Sequence, residues 1–176
     1  MATRRGAYPG TFNPPTIAHL AIAGSARSQC GLDRVDLIVS TSPLGKHDHP
    51  DLAPLAERVA ALELVAAPYH WLAVRVSPSQ LLADIAEDYD YVVLGADKWA
   101  EVVDPAWYGG RERRDDALRR LPTVALAPRP PHPLPDPRPG LLVLDIDPAH
   151  HEVSATAVRN GEHRWLAPQL RQSGQS

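Results

Sequence analysis

YPGTFNPPTIAHL, Tyr8–Leu20, sets a tight turn directly in front of an apolar helix. One glycine and three prolines within this span fix the turn. A turn alone does not require Thr16 and His19 three residues apart on the opening turn of the helix that follows. That spacing puts both side chains on one face, beside backbone N–H groups that have no partner within the helix. Such a place attracts phosphate.

Apolar runs alternate with helical patterns on both sides of this stretch. Residues 18–30 (AHLAIAGSARSQC) read as a helix ending at Gly31, and residues 35–40 (VDLIVS) as a short buried strand. Leu55, Val59, Leu62 and Val65 lie at helical spacing in residues 55–67, and Pro68 stops that helix. Residues 71–77 (WLAVRVS) read as a strand. Residues 78–89 read as a helix with a serine cap at Ser77 or Ser79. Strands are expected at 91–97 (YVVLGAD), 123–127 (TVALA) and 141–147 (LLVLDID), the apolar VVL and LLVL runs suiting burial on both sides. A short helix follows, capped by Ser154 and ended by Gly161. Strands separated by helices predict an α/β domain, Rossmann-like, with a mostly parallel sheet and helices on both faces. We expect one domain over residues 1–176, with the Pro-rich run 128–139 as an extended surface excursion and rigid connector.

A chain of 176 residues removes roughly 70% of its unfolded surface from water. The net charge of −3 argues against a general nucleic-acid binder. One cysteine, Cys30, allows neither an internal disulfide nor a CxxC metal pair, and suits a reducing, cytoplasmic setting. No apolar run approaches the ~20 residues that cross a bilayer, and the first ten residues lack the apolar core of a signal peptide, so neither membrane nor secretion is expected. With sixteen arginines and two lysines, Lys46 and Lys98, each lysine position is informative.

In open parallel sheets, ligands sit at the carboxyl ends of strands, where the strand order reverses. The unusual segments all fall at such ends: GTFNPPTIAH, TSPLGK, GADKW and DPAHHEVSATAVR. No GxxxxGK[ST] loop and no GxGxxG turn occurs, so a nucleotide must be held in another way. The pairs His47/His49 and His150/His151 lack the i,i+4 spacing of a helical metal site and read as solvated loop histidines; no protein metal site is expected. RERRDDALRR, residues 111–120, reads as a solvated helix face.

GTFNPPTIAH resembles the GxFxPxTxGH signature of the cytidylyltransferase-like, HxGH-type nucleotidyltransferases, and within them the bacterial nicotinate-nucleotide adenylyltransferases. SPLGK, ERVAALELVAA, VLGAD with Trp107 after it, and VSATAVR resemble further motifs in the family's order, from about Tyr8 to Gly161. Ala18 stands where the family has glycine, and RVSPSQLLADI lacks the SYT-like run of the nicotinate branch. The resemblance implies adenylyl transfer from ATP, with Mg²⁺ bound to the triphosphate, to a small phosphate monoester. Nicotinate mononucleotide leads as acceptor; phosphopantetheine, or a CTP-dependent reaction, follows. It further implies His19, Thr16 and Lys46 in catalysis. Gly10, Thr11, Phe12, His19, Gly95, Asp97, Ser154, Thr156 and Arg159 would hold the nucleotide, and Lys46 and Trp107 the acceptor. Members of the superfamily often form homo-oligomers. A reading of another class, a nucleotide-binding regulatory module without turnover, would show binding without pyrophosphate release.

Overall fold

In a computed structural model, residues 2–42 and 50–173 are described. Among them, six strands form one parallel sheet: β1 (Arg5–Pro9), β2 (Arg34–Ser40), β3 (Leu72–Ser77), β4 (Tyr91–Gly95), β5 (Thr123–Ala127) and β6 (Leu141–Val143). Their spatial order is β3-β2-β1-β4-β5-β6, so the chain winds outward from β1 in one direction and restarts beside β1 in the other. The order reverses between β1 and β4. A crevice opens at the carboxyl ends of strands wherever successive connections leave in opposite directions.

Alternation along the strands sorts the core into two layers. Tyr8, Leu37, Val39, Val93 and Ala125 face α1 (Ile17–Cys30) and α2 (Leu55–Ala66). Ala7, Ile38, Val92, Leu94, Val124 and Leu126 face the opposite layer. There α3 (Leu82–Ile85), α4 (Ala96–Val102) and α5 (Arg111–Arg120) pack, with Trp99 and Val102 buried. Two short helices, α6 (Ala155–Arg159) and α7 (Pro168–Ser173), close the chain. Helices therefore cover both faces, as the alternation of patterns predicts. No helix among the described residues is long and apolar enough to cross a membrane.

Several expected elements differ. The predicted 78–89 helix shrinks to α3, and neither serine caps it: its cap is Leu81, without a side-chain bond. The serines tie loops instead. Ser79 N–H donates to Ser77 Oγ at 3.2 Å, and Ser40 Oγ donates to the Ser79 carbonyl at 2.7 Å, binding the ends of β2 and β3 together. The 91–97 strand stops at Gly95, and Asp97 belongs to the first turn of α4. The 141–147 strand keeps only residues 141–143 in the ladder, and as an edge strand it leaves Val143 exposed rather than buried on both sides. The α2 stripe includes the buried Arg58, which satisfies its charge on backbone carbonyls. The Pro-rich run after β5 is exposed over most of its length.

Candidate active site

A cavity of about 260 Å³ opens at the β1/β4 reversal, lined from the carboxyl ends of β1, β2, β4 and β5. Its floor is the turn after β1. Gly10 N–H donates to the Ile38 carbonyl at 3.0 Å, and a Cβ on Gly10 would press on the Phe12 ring. Phe12 is fully buried with φ of 47°, a left-handed conformation that a bulky residue holds only where its surroundings impose it. Its ring packs edge-on against Tyr8 (5.5 Å between centroids) and His19 (4.9 Å).

The turn is pinned from three sides. Asn13, itself buried, donates through Nδ2 to the Asp51 carbonyl (2.7 Å) and accepts the Ala53 N–H (3.1 Å). Arg58 donates to the Ala53 and Thr11 carbonyls. Arg159 donates to the Asn13 carbonyl, and Ala167 N–H to the Pro15 carbonyl at 3.1 Å. The residues that shape the turn therefore come from α2, α6 and the last segment of the chain.

Thr16 caps α1 in a reciprocal arrangement with His19. Thr16 Oγ1 accepts the His19 N–H (3.4 Å), and Thr16 N–H donates to His19 Nδ1 (2.9 Å). A ring nitrogen that accepts a backbone N–H carries its lone pair there, so in the neutral ring the proton sits on Nε2. Burial, and then the nearby Arg129 guanidinium, push the His19 pKa down to about 4, with Asp97 opposing. His19 is thus a neutral imidazole held by its Nδ1 side, with an Nε2–H donor. Burial also raises the Tyr8 hydroxyl well above the ordinary phenol range, leaving it protonated.

The structure brings Gly10, Thr11, Phe12, Thr16, His19, Gly95, Asp97, Trp107 and Ser154 into the lining of this one cavity. Trp107 is exposed, whereas Trp99 is buried in the core. Ser154 caps α6, accepting the Ala157 N–H at 3.0 Å. Thr156 and Arg159 are not part of the lining. Arg159 Nη2 donates to Thr156 Oγ1 at 3.2 Å, and its Nη1 donates to the turn. Lys46 lies outside the described residues. Ala18, buried to 2% exposure, lines the cavity where it meets α1.

Sequence reasoning missed Arg129. It stands just after β5, donates to the Val153 carbonyl at 2.6 Å and lies 4.0 Å from the Asp97 carboxylate. The proline density around it invites a connector reading, yet its position at the carboxyl end of a sheet strand obeys the same rule as the other site segments. Also missed were Lys98 and Glu101, which line the cavity from α4, and Gln80 and Leu81, which occupy the wall where the SYT-like run is absent.

A doubly wound parallel sheet, with its cavity at the strand-order reversal and a capped, neutral histidine on the floor, defines the class: an α/β protein whose candidate site is assembled from strand ends. The chain belongs to the cytidylyltransferase-like family, whose model matches residues 7–161. Curated relatives named "Probable nicotinate-nucleotide adenylyltransferase" include that of Salinibacter ruber, 30% identical over 186 aligned residues, 93% of this chain and 90% of its own. That of Anaeromyxobacter sp. is 30% identical over 91% of this chain and 87% of its own. That of Roseiflexus sp. is 34% identical over 71% and 65%.

Proposed function

We propose that this protein transfers the adenylyl group of ATP to the phosphate of nicotinate mononucleotide and releases pyrophosphate. The observation that carries the reading is the fixed Nε2–H donor of His19 on the cavity floor. An acceptor phosphate oxygen attacks the α-phosphorus in line; the bond to the bridging oxygen breaks, and the electron pair leaves with pyrophosphate. The acceptor is already ionised at neutral pH, so no general base is required. What the protein must supply is alignment and donors aimed at developing charge.

His19 donates from Nε2 to a non-bridging oxygen of the α-phosphate. Its low pKa keeps Nδ1 free to accept the Thr16 N–H, so the donor keeps one orientation through the reaction. Thr16 acts through His19 as a positioning residue. Arg129 offers a guanidinium on the same side of the cavity and balances phosphate charge. The Ser154 hydroxyl can still donate while it accepts the Ala157 N–H, and from the cavity lining it would serve the β- and γ-phosphates. Arg159 positions the turn through the Asn13 carbonyl.

Mg²⁺ takes one or two carboxylates together with substrate phosphates and keeps several waters. Asp97 supplies an oxygen donor on the lining, and no group of three or more His, Cys, Asp or Glu capable of caging a metal occurs among the described residues. That donor set fits an ion held chiefly by the triphosphate, with Asp97 as its protein contact. When bound, the ion neutralises charge on the phosphoryl oxygens.

The acceptor assignment is supported by Trp107, an exposed flat ring on the wall, and by the names of the relatives. Pyrophosphate release with ATP or CTP against nicotinate mononucleotide, nicotinamide mononucleotide, phosphopantetheine and simple phosphorylated alcohols tests it. Turnover is expected with ATP and nicotinate mononucleotide. Turnover with another pair reassigns the substrates, and ATP binding without any release identifies a regulatory module.

A further inference from the structure

Tyr8, next to last in β1, belongs to the buried layer that faces α1, and it lines the cavity. Its ring packs edge-on against Phe12, 5.5 Å between centroids, and lies tilted beside the His19 ring at 6.2 Å. Packing on those two rings fixes where the phenol points.

A buried tyrosine hydroxyl ordinarily finds a hydrogen-bond partner. Tyr89 donates its hydroxyl to Asp36 Oδ2 at 2.7 Å, and Tyr108 donates to the Val102 carbonyl at 2.9 Å. Among the described residues, no protein group bonds to the Tyr8 hydroxyl. Nor is it sealed in the core. The side-chain polar atoms both sealed and unpartnered there are Arg27 Nε, His150 Nδ1, His151 Nε2 and Gln169 Oε1. A hydroxyl neither bonded nor sealed opens on the cavity that its residue lines. Burial holds it protonated, with Arg129 opposing and Asp97 adding to that effect. The same two side chains act on His19, so both groups share one electrostatic setting at the end of β1. A phenol that stays protonated donates to a phosphate oxygen, where a phenolate would repel it.

We propose that the Tyr8 hydroxyl is a further substrate contact, a neutral donor to a phosphate oxygen of the bound nucleotide beside the oxygen that His19 serves. The proposal rests on the adenylyl-transfer reading above. A hydrogen bond to an ionised oxygen belongs to the stronger class. The protein by itself gains nothing from this hydroxyl, since a buried polar group without a protein partner costs stability. Activity and stability therefore respond in different directions when the oxygen is removed.

The test is Tyr8→Phe, which deletes that oxygen and keeps the ring. Pyrophosphate release with ATP, Mg²⁺ and nicotinate mononucleotide is measured beside ATP affinity by calorimetry and melting temperature. The expected result is a kcat/KM for ATP about 10-fold lower, with a melting temperature equal to or above that of the wild type. A kcat/KM within about twofold of the wild type overturns the contact. So does a variant that melts lower, because the hydroxyl would then be a structural bond. A wild type that releases no pyrophosphate overturns adenylyl transfer, and affinity then decides for Tyr8. ATP with Mg²⁺ bound about 10-fold more weakly by Tyr8→Phe upholds the contact, and equal affinity overturns it as well.

Discussion

The two ring nitrogens of His19 have different tasks, and the fold assigns them. Nδ1 is bound by a backbone N–H of its own helix cap, so Nε2 carries the proton. His19→Ala should therefore lower kcat by about 100-fold or more, because the preorganised donor we propose for the α-phosphoryl oxygens is lost while the fold is kept. Titration supplies a second check. The folded pKa of about 4 lies below the unfolded value of about 6.5, so below pH ~6.5 the unfolded chain binds the proton first. Stability should fall as pH drops from about 6.5 to about 4, and denaturant titrations of His19→Gln should lack that component. Thr16 and His19 were legible as a pair from their spacing and helix start. Arg129 was not, because prolines on both sides hide a strand-end arginine inside a run whose composition says linker.

At the scale of elements, the β1–α1 turn depends on contacts that no local pattern announces. Asn13 reaches residues 38 and 40 positions away, and Arg159 reaches back 146. Asn13→Ala leaves the Ala53 N–H and the Asp51 carbonyl without this partner, at a cost of about 1–3 kcal/mol in chemical unfolding, and it loosens the floor under His19. Ser154→Ala removes a helix cap worth about 1 kcal/mol and with it a proposed phosphate donor, so KM for ATP should rise more than stability alone explains. The α1 and α2 helices and the central strands were readable because long periodic runs carry their own signal. The short α3 and the clipped β6 were not. Hydrogen bonds between loops and the lack of a second neighbour decided those, and both are tertiary facts.

Across the whole molecule, the sheet order follows from the alternation of strands and helices, but its electrostatics do not. Asp36 is fully buried in β2, where it pairs with Arg34 and Arg75 and accepts the Tyr89 hydroxyl at 2.7 Å. It was read simply as part of a buried strand, since two of its partners lie far along the chain, Arg75 in β3 and Tyr89 in the loop before β4. The two arginines are partly exposed and can hydrate, so Asp36→Ala should cost about 2 kcal/mol, chiefly from the unpartnered Tyr89 hydroxyl. For a chain of this length that is a fall of roughly 4–8 °C in melting temperature, with substrate KM little changed because the network lies away from the cavity lining. The fold thus separates a charge network in the sheet from the cavity at the strand-order reversal, where we propose the chemistry occurs.

The most direct measurement is product formation by the purified protein with ATP, Mg²⁺ and nicotinate mononucleotide at neutral pH, run beside His19→Ala. Equal amounts of pyrophosphate and the adenylylated dinucleotide from the wild type, with a loss of about 100-fold or more in the variant, are what the account predicts. Comparable turnover by both proteins, or ATP bound and returned intact by the wild type, would contradict it.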